Sequence, residues 1–156
     1  MREKTIEIKV KVFSFSELSE EKQMLIEKAK EVSFGAYAPY SQFSVGAAVL
    51  LENGEVVVGS NQENVAYPSG LCAERTAMFA ANASYPRVAP KVLAIVAQTG
   101  GKFLKNPITP CGACRQVILE TEKRFGKEIV ILLFGEEKIY EISSVKQILP
   151  LAFDEI

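Results

Sequence analysis

Residues Lys91–Phe134 read KVLAIVAQTGGKFLKNPITPCGACRQVILETEKRFGKEIVILLF, and the order of elements within them decides the fold. Two near-continuous apolar runs, KVLAIVA (91–97) and EIVILLF (128–134), bracket a segment with helical periodicity over 112–125. Short runs of Val, Ile and Leu suit strands covered on both faces, and a strand–helix–strand order implies a parallel crossover. Upstream, strands and a helix again alternate. FSVGAAVLLENGEVVVGS (43–60) reads as a hairpin of two β-rich runs about an Asn53-Gly54 turn, where those residues supply positive φ cheaply. GLCAERTAMFAANA (70–83) then predicts a helix over 72–82.

The flanks complete the plan. TIEIKVKVF (5–13) alternates, with Ile6, Ile8, Val10 and Val12 on one side and mostly charged residues on the other, as a half-solvated edge strand requires. Ser19 is placed to cap a helix that carries Glu20 and Glu21 in its first turn and Leu25, Ala29 and Val32 on one face; APYSQF breaks it. A short strand is expected at 139–142, followed by a capped turn at Ser143 or Ser144. The fold class is therefore α/β: a three-layer α/β/α sandwich on a mixed sheet of about five strands, plus an extra N-terminal strand. With no internal repeat or linker, residues 1–156 read as a single domain.

Composition narrows the function. The 156 residues are 48% hydrophobic and 24% charged, ordinary values for a folded domain. Eighteen Lys and Arg against 19 Asp and Glu leave a net charge of −1 with no long basic run, so nucleic acid and anionic membrane are not expected partners. A neutral small molecule suits this surface better. The N-terminus MREKTIEIKV is charged and alternating rather than continuously apolar, so the expected location is cytoplasmic.

Three cysteines and no histidine are the unusual counts. Cys111 and Cys114 form a C-x-x-C pair opening the helix at 112–125, and Cys72 opens the helix at 72–82. Both sites follow the carboxyl end of a strand, where neighbouring crossover loops of an α/β sheet converge. A lone C-x-x-C also suits a thioredoxin-like redox pair, and a lone Cys an inert core residue. Three converging thiolates point instead to zinc. A structural zinc takes four protein ligands, whereas three cysteines leave a fourth position that is open or filled by a carboxylate; an open position held by water makes the metal catalytic. Glu74 is the proton carrier beside it, able to face the same cavity if Cys72 lies at the helix cap rather than inside. Zn²⁺ with three thiolates carries a net negative charge, which Arg75 and two helix N-termini offset.

CAERTA (72–77) with PCGACRQ (110–116) resembles the cytidine deaminases of the small, homotetrameric, three-cysteine class. The similarity extends to PYSQFSVGAAVL (39–50), GSNQENVAYP (59–68) and, more weakly, ILPLAF (148–153). It implies one zinc ion per chain on Cys72, Cys111 and Cys114, and hydrolytic deamination of cytidine and 2′-deoxycytidine in pyrimidine salvage. Glu74 would carry a proton from water to N3 and on to the departing amine. The backbone of Ala73 and Cys111 would hold the base edge, Asn61 and Glu63 the ribose 3′-hydroxyl, and Phe43 the nucleoside face. Tyr67 and Phe153 would reach a neighbour's site within a homotetramer whose active sites are shared between subunits. A deaminase of a related aminopyrimidine nucleoside, such as blasticidin S, is the alternative.

Overall fold

The computed structural model of the protein describes residues 1–154. Its elements run β1 (Lys11–Phe13), α1 (Glu20–Ser33), β2 (Phe43–Leu51), β3 (Val56–Ser60), α2 (Ala73–Ser84), β4 (Pro90–Thr99), β5 (Lys102–Phe103), α3 (Gly112–Phe125), β6 (Val130–Phe134) and β7 (Ile139–Ile142). The strands form one mixed sheet in the order β1-β7-β6-β4-β2-β3, with β5 paired to β4. Only β4 and β6 are hydrogen-bonded in parallel; the other pairs are antiparallel.

Both faces of the sheet are covered, as the unbroken apolar strands require. Alternate residues of the central strands divide between two cores. Ala47, Val49, Leu93, Ile95, Ile131 and Leu133 meet Met78 of α2 and Ile118 and Leu119 of α3. Ala48, Leu50, Val92, Ala94, Val96 and Leu132 meet Leu25, Ile26 and Ala29 of α1. The expected three-layer sandwich is thus present, with α2 and α3 on one face and α1 on the other.

Two glycines set how closely the helices approach. A Cβ on Gly59 of β3 would fall 2.5 Å from the backbone nitrogen of Ala77 and 3.0 Å from the carbonyl oxygen of Ala73, so α2 lies directly on the strand. A Cβ on Gly46 of β2 would fall 2.0 Å from the Ala29 carbonyl oxygen, so α1 does the same on the opposite face.

Several expectations change in detail. The N-terminal strand spans 11–13 rather than 5–13: in register the last residue of its partner β7, Ile142, falls opposite Val10, so residues 5–9 have no strand to pair with. Ile6, Ile8 and Val10 remain exposed. In the hairpin only Gly54 takes positive φ (87°), within a turn closed by Gly54 N–H donating to the Leu51 carbonyl at 3.0 Å. Ser19 is the N-cap of α1 without a side-chain cap bond, and Val32 is partly exposed while Ile26 and Ser33 are buried. Two-residue β5 adds a strand that no hydrophobic period announces; Gly100 and Gly101, at φ 57° and 75°, turn the chain back into it. Ser144 is the cap of the final turn, its hydroxyl accepting from Lys146 N–H.

Candidate metal centre and active site

Cys72 and Cys111 are the N-caps of α2 and α3. Both have extended backbone (φ −70°, ψ 152° and φ −65°, ψ 166°), and neither side chain makes a cap bond. The sulfurs therefore leave the helix axes and are available elsewhere. Each cap carbonyl still starts its helix, accepting from Thr76 N–H at 3.0 Å and Arg115 N–H at 2.9 Å. β3 and β4 run in the same direction, since both pair antiparallel with β2, so α2 and α3 begin on the same side of the sheet.

This topology brings the three thiols together. Sγ of Cys72 lies 3.8 Å from that of Cys111, and Cys111 Sγ lies 3.3 Å from that of Cys114. All three sulfurs fall within 4.8 Å of one another, and all three cysteines are free. A tetrahedral ion with Zn–S bonds of ~2.3 Å has ligand–ligand edges of about 3.8 Å, so these soft donors fit zinc in both chemistry and spacing. No histidine exists to add a nitrogen ligand, and among the described residues the cluster contains no carboxylate.

Electrostatics follow from the helix ends and their neighbours. A hydrogen bond from the Cys114 thiol, aided by Arg75, pulls the Cys72 thiol down to about 5 despite partial burial. Cys114 is pushed up by the same bond, which it donates, and by its burial. Arg75 Nη2 stands 3.7 Å from Cys72 Sγ, and Arg75 Nε is buried without a partner among the described residues. The guanidinium thus places positive charge where thiolate charge collects.

Glu74, in the first turn of α2, is only 5% exposed. Burial pushes its carboxyl above the ordinary carboxylate range, and the neighbouring Cys72 thiolate acts in the same direction. A contact from the Cys114 thiol places the carboxyl group beside the sulfur cluster. A cavity of about 540 Å³ opens next to this corner, walled by Cys72, Arg75, Leu71, Asn61, Glu63, Tyr40, Ser41 and Tyr67 among others.

Of the expected substrate contacts, Asn61, Glu63 and Tyr67 line that cavity. Asn61 is held at both ends of its amide: Oδ1 accepts from Val45 N–H at 2.7 Å and Nδ2 donates to the Phe43 carbonyl at 2.9 Å. Glu63 Oε2 accepts from the backbone N–H groups of Tyr40 (2.8 Å) and Ser41 (3.2 Å). The Ser41 side chain, with these amides, holds its carboxyl below the usual range. Phe43 packs against the α2–α3 core and Ala73 is buried; neither is among the residues that wall the cavity. Tyr67 and Phe153 are 77% and 72% exposed in the single chain. Tyr40 and Ser41, which hold Glu63, lie inside the PYSQF segment; Tyr40 acts through a backbone amide that any residue type supplies, whereas Ser41 adds its side chain.

A parallel crossover sandwich whose helix caps gather three thiols beside a buried acid defines a zinc-binding hydrolytic scaffold. Residues 19–132 match the family model of the cytidine and deoxycytidylate deaminase zinc-binding region. The chain is 45% identical over 133 residues to a cytidine deaminase of Halalkalibacterium halodurans, covering 85% of this chain and 94% of that protein. It is 42% identical over 133 residues to one from Sporosarcina psychrophila, covering 85% and 91%. The crystal structure of cytidine deaminase from Burkholderia pseudomallei superimposes with a TM-score of 0.71 at 40% identity, covering 83% of this chain and 97% of the other. The protein belongs to the cytidine and deoxycytidylate deaminase family.

Proposed function

We propose that the protein is a zinc-dependent cytidine deaminase that converts cytidine and 2′-deoxycytidine to uridine and 2′-deoxyuridine, releasing ammonia. The reading rests above all on three thiols within 4.8 Å of one another at two helix caps, beside a carboxyl group that burial keeps easy to protonate. The family relationship supports it, and because the relatives are named cytidine deaminases, blasticidin S or another aminopyrimidine nucleoside is not favoured.

Cys72, Cys111 and Cys114 would hold one zinc ion per chain. Zinc, when bound, supplies the Lewis acidity that lets water act as a nucleophile near neutral pH. Glu74 would take a proton from the attacking water and deliver it to ring N3, then carry the proton of the new C4 hydroxyl to the amino group at C4. A C4–O bond forms, the C4–N bond breaks, and ammonia departs. The elevated proton affinity of Glu74 suits both receiving and giving. Arg75 offsets the negative charge of the thiolates. The Ala73 and Cys111 amides hold the base edge, Asn61 and Glu63 the ribose hydroxyl, and Phe43 the face of the nucleoside. For the ribose contacts the wall is preset, since Asn61 and Glu63 are already anchored to backbone.

The exposure of Tyr67 and Phe153 supports a homotetramer in which these rings close a neighbour's site. A cytoplasmic role in pyrimidine salvage agrees with the near-neutral charge, and no helix among the described residues is long and apolar enough to cross a membrane. We read residues 1–156 as one deaminase domain on its continuous sheet, residues 155–156 lying outside the described part. The deciding experiment measures ammonia release from cytidine with zinc quantified in the same sample. Turnover with about one zinc per chain is expected; no turnover at millimolar cytidine refutes the assignment.

A further inference from the structure

Arg115 follows the buried Cys114 on α3, yet the hydrogen bonds of its side chain all go elsewhere than sulfur. Nε donates to the Pro110 carbonyl at 2.7 Å, Nη2 to Thr109 Oγ1 at 3.1 Å and Nη1 to the Ile148 carbonyl at 2.7 Å. Three acceptors from two separate segments are met by one planar fork. The compact ammonium of Lys cannot span the same set.

The first acceptor belongs to the peptide that joins Pro110 to Cys111. All peptide bonds in the described chain are trans, so this carbonyl and the Cys111 N–H point in opposite directions. Pro110 is buried and Cys111 is exposed. By holding this carbonyl, Arg115 fixes the direction of the Cys111 N–H opposite it, and with it the backbone from which the Cys111 sulfur projects. The Ile148 carbonyl lies in the C-terminal segment after β7. That segment continues along α3, where Gln116 Nε2 donates to the Phe153 carbonyl at 2.7 Å and Lys123 Nζ to the Asp154 carbonyl.

We infer that Arg115 is a positioning residue that couples the loop presenting Cys111 to the C-terminal segment carrying Phe153, so that metal loop and tail take up their working geometry together. This rests on the reading that Cys111 holds zinc. Arg75 and Arg115 thus divide the work of the two helix caps: one meets sulfur, the other sets the backbone behind it. Outer partners of metal ligands typically contribute about 10- to 100-fold in metal affinity or activity.

The test uses zinc-loaded full-length protein and follows zinc transfer to an excess of chromogenic chelator, with KM and kcat for cytidine measured alongside. Arg115→Lys and Arg115→Gln are expected to release zinc about 10- to 100-fold faster and to raise KM. Thr109→Val, which removes one of the three bonds, lies between them and wild type. Gln116→Ala frees only the tail and is expected to raise KM with the release rate unmoved. Ile118→Val, a core change on the same helix, controls for simple loss of stability. Release from Arg115→Lys at the wild-type rate overturns the inference, as does equal acceleration by Ile118→Val at a matched thermal midpoint. Wild-type protein that holds no zinc overturns the underlying reading as well, and so is distinguishable from failure of the coupling alone.

Discussion

Glu63 lines the cavity and Glu74 lies buried at the sulfur corner beside it, and their surroundings drive the two carboxyl groups apart. Glu74 begins α2, buried against the sulfur cluster, and desolvation raises its proton affinity. Glu63 sits in the loop between β3 and α2, where the Ser41 side chain and two backbone amides stabilise its charge and lower it. The same side chain is prepared for proton exchange in one place and for permanent ionisation in the other. The metal corner is thus organised by helix caps, whereas the adjoining wall is held by hydrogen bonds to the main chain.

That contrast can be broken at its strongest point first. Cys72→Ala or Cys111→Ala is expected to abolish zinc binding, from about one ion per chain to none, and activity with it, as metal analysis of purified variants will show. Glu74→Gln keeps the metal and the fold but removes the proton carrier; kcat should fall by about 10²- to 10⁴-fold, and a fully active variant would falsify the role. Glu63→Gln tests the opposite region. It should raise KM for cytidine by roughly tenfold while leaving kcat and zinc content near wild type, because it weakens charge-assisted bonds without touching the reacting atoms.

The smallest effect lies outside the cleft. Burial works against the charge of Glu141, but ion pairs with Lys22 and Lys11 outweigh it and hold the carboxyl below the usual range. A depressed folded value stabilises the protein above the unfolded carboxylate range near ~4.3 and is lost as pH falls through the lower folded value. Glu141→Gln should therefore cost about 1 kcal/mol at neutral pH and flatten the acid limb of a denaturation series. An unchanged acid limb would assign that sensitivity to other groups.

The two regions were unequally legible in the sequence. Cys111 and Cys114 are one helical turn apart, so their meeting is local and follows from a cap and a period. Cys72 joins them only because β3 and β4 point the same way, which the strand–helix alternation implied. The α/β/α layering was readable for the same reason: unbroken apolar strands need two covers. The recognition wall gave less away. Glu63 is fixed in part through amides of Tyr40 and Ser41, which carry no residue signature, and only the Ser41 side chain adds one. The extent of β1 depended on the length of β7, a distant element, and β5 is too short for any period to show.

Gly59 is neither one of the three cysteines nor a wall of the cavity, yet its missing methyl decides how far α2 stands from the sheet. Any larger residue there would lift the opening turn of that helix, carrying Cys72 and Glu74 away from two sulfurs anchored on α3. A hydrogen atom beneath the helix thus serves as the shim that keeps the halves of the reaction centre in register, so the catalytic tolerance of this chain is set partly from below the site.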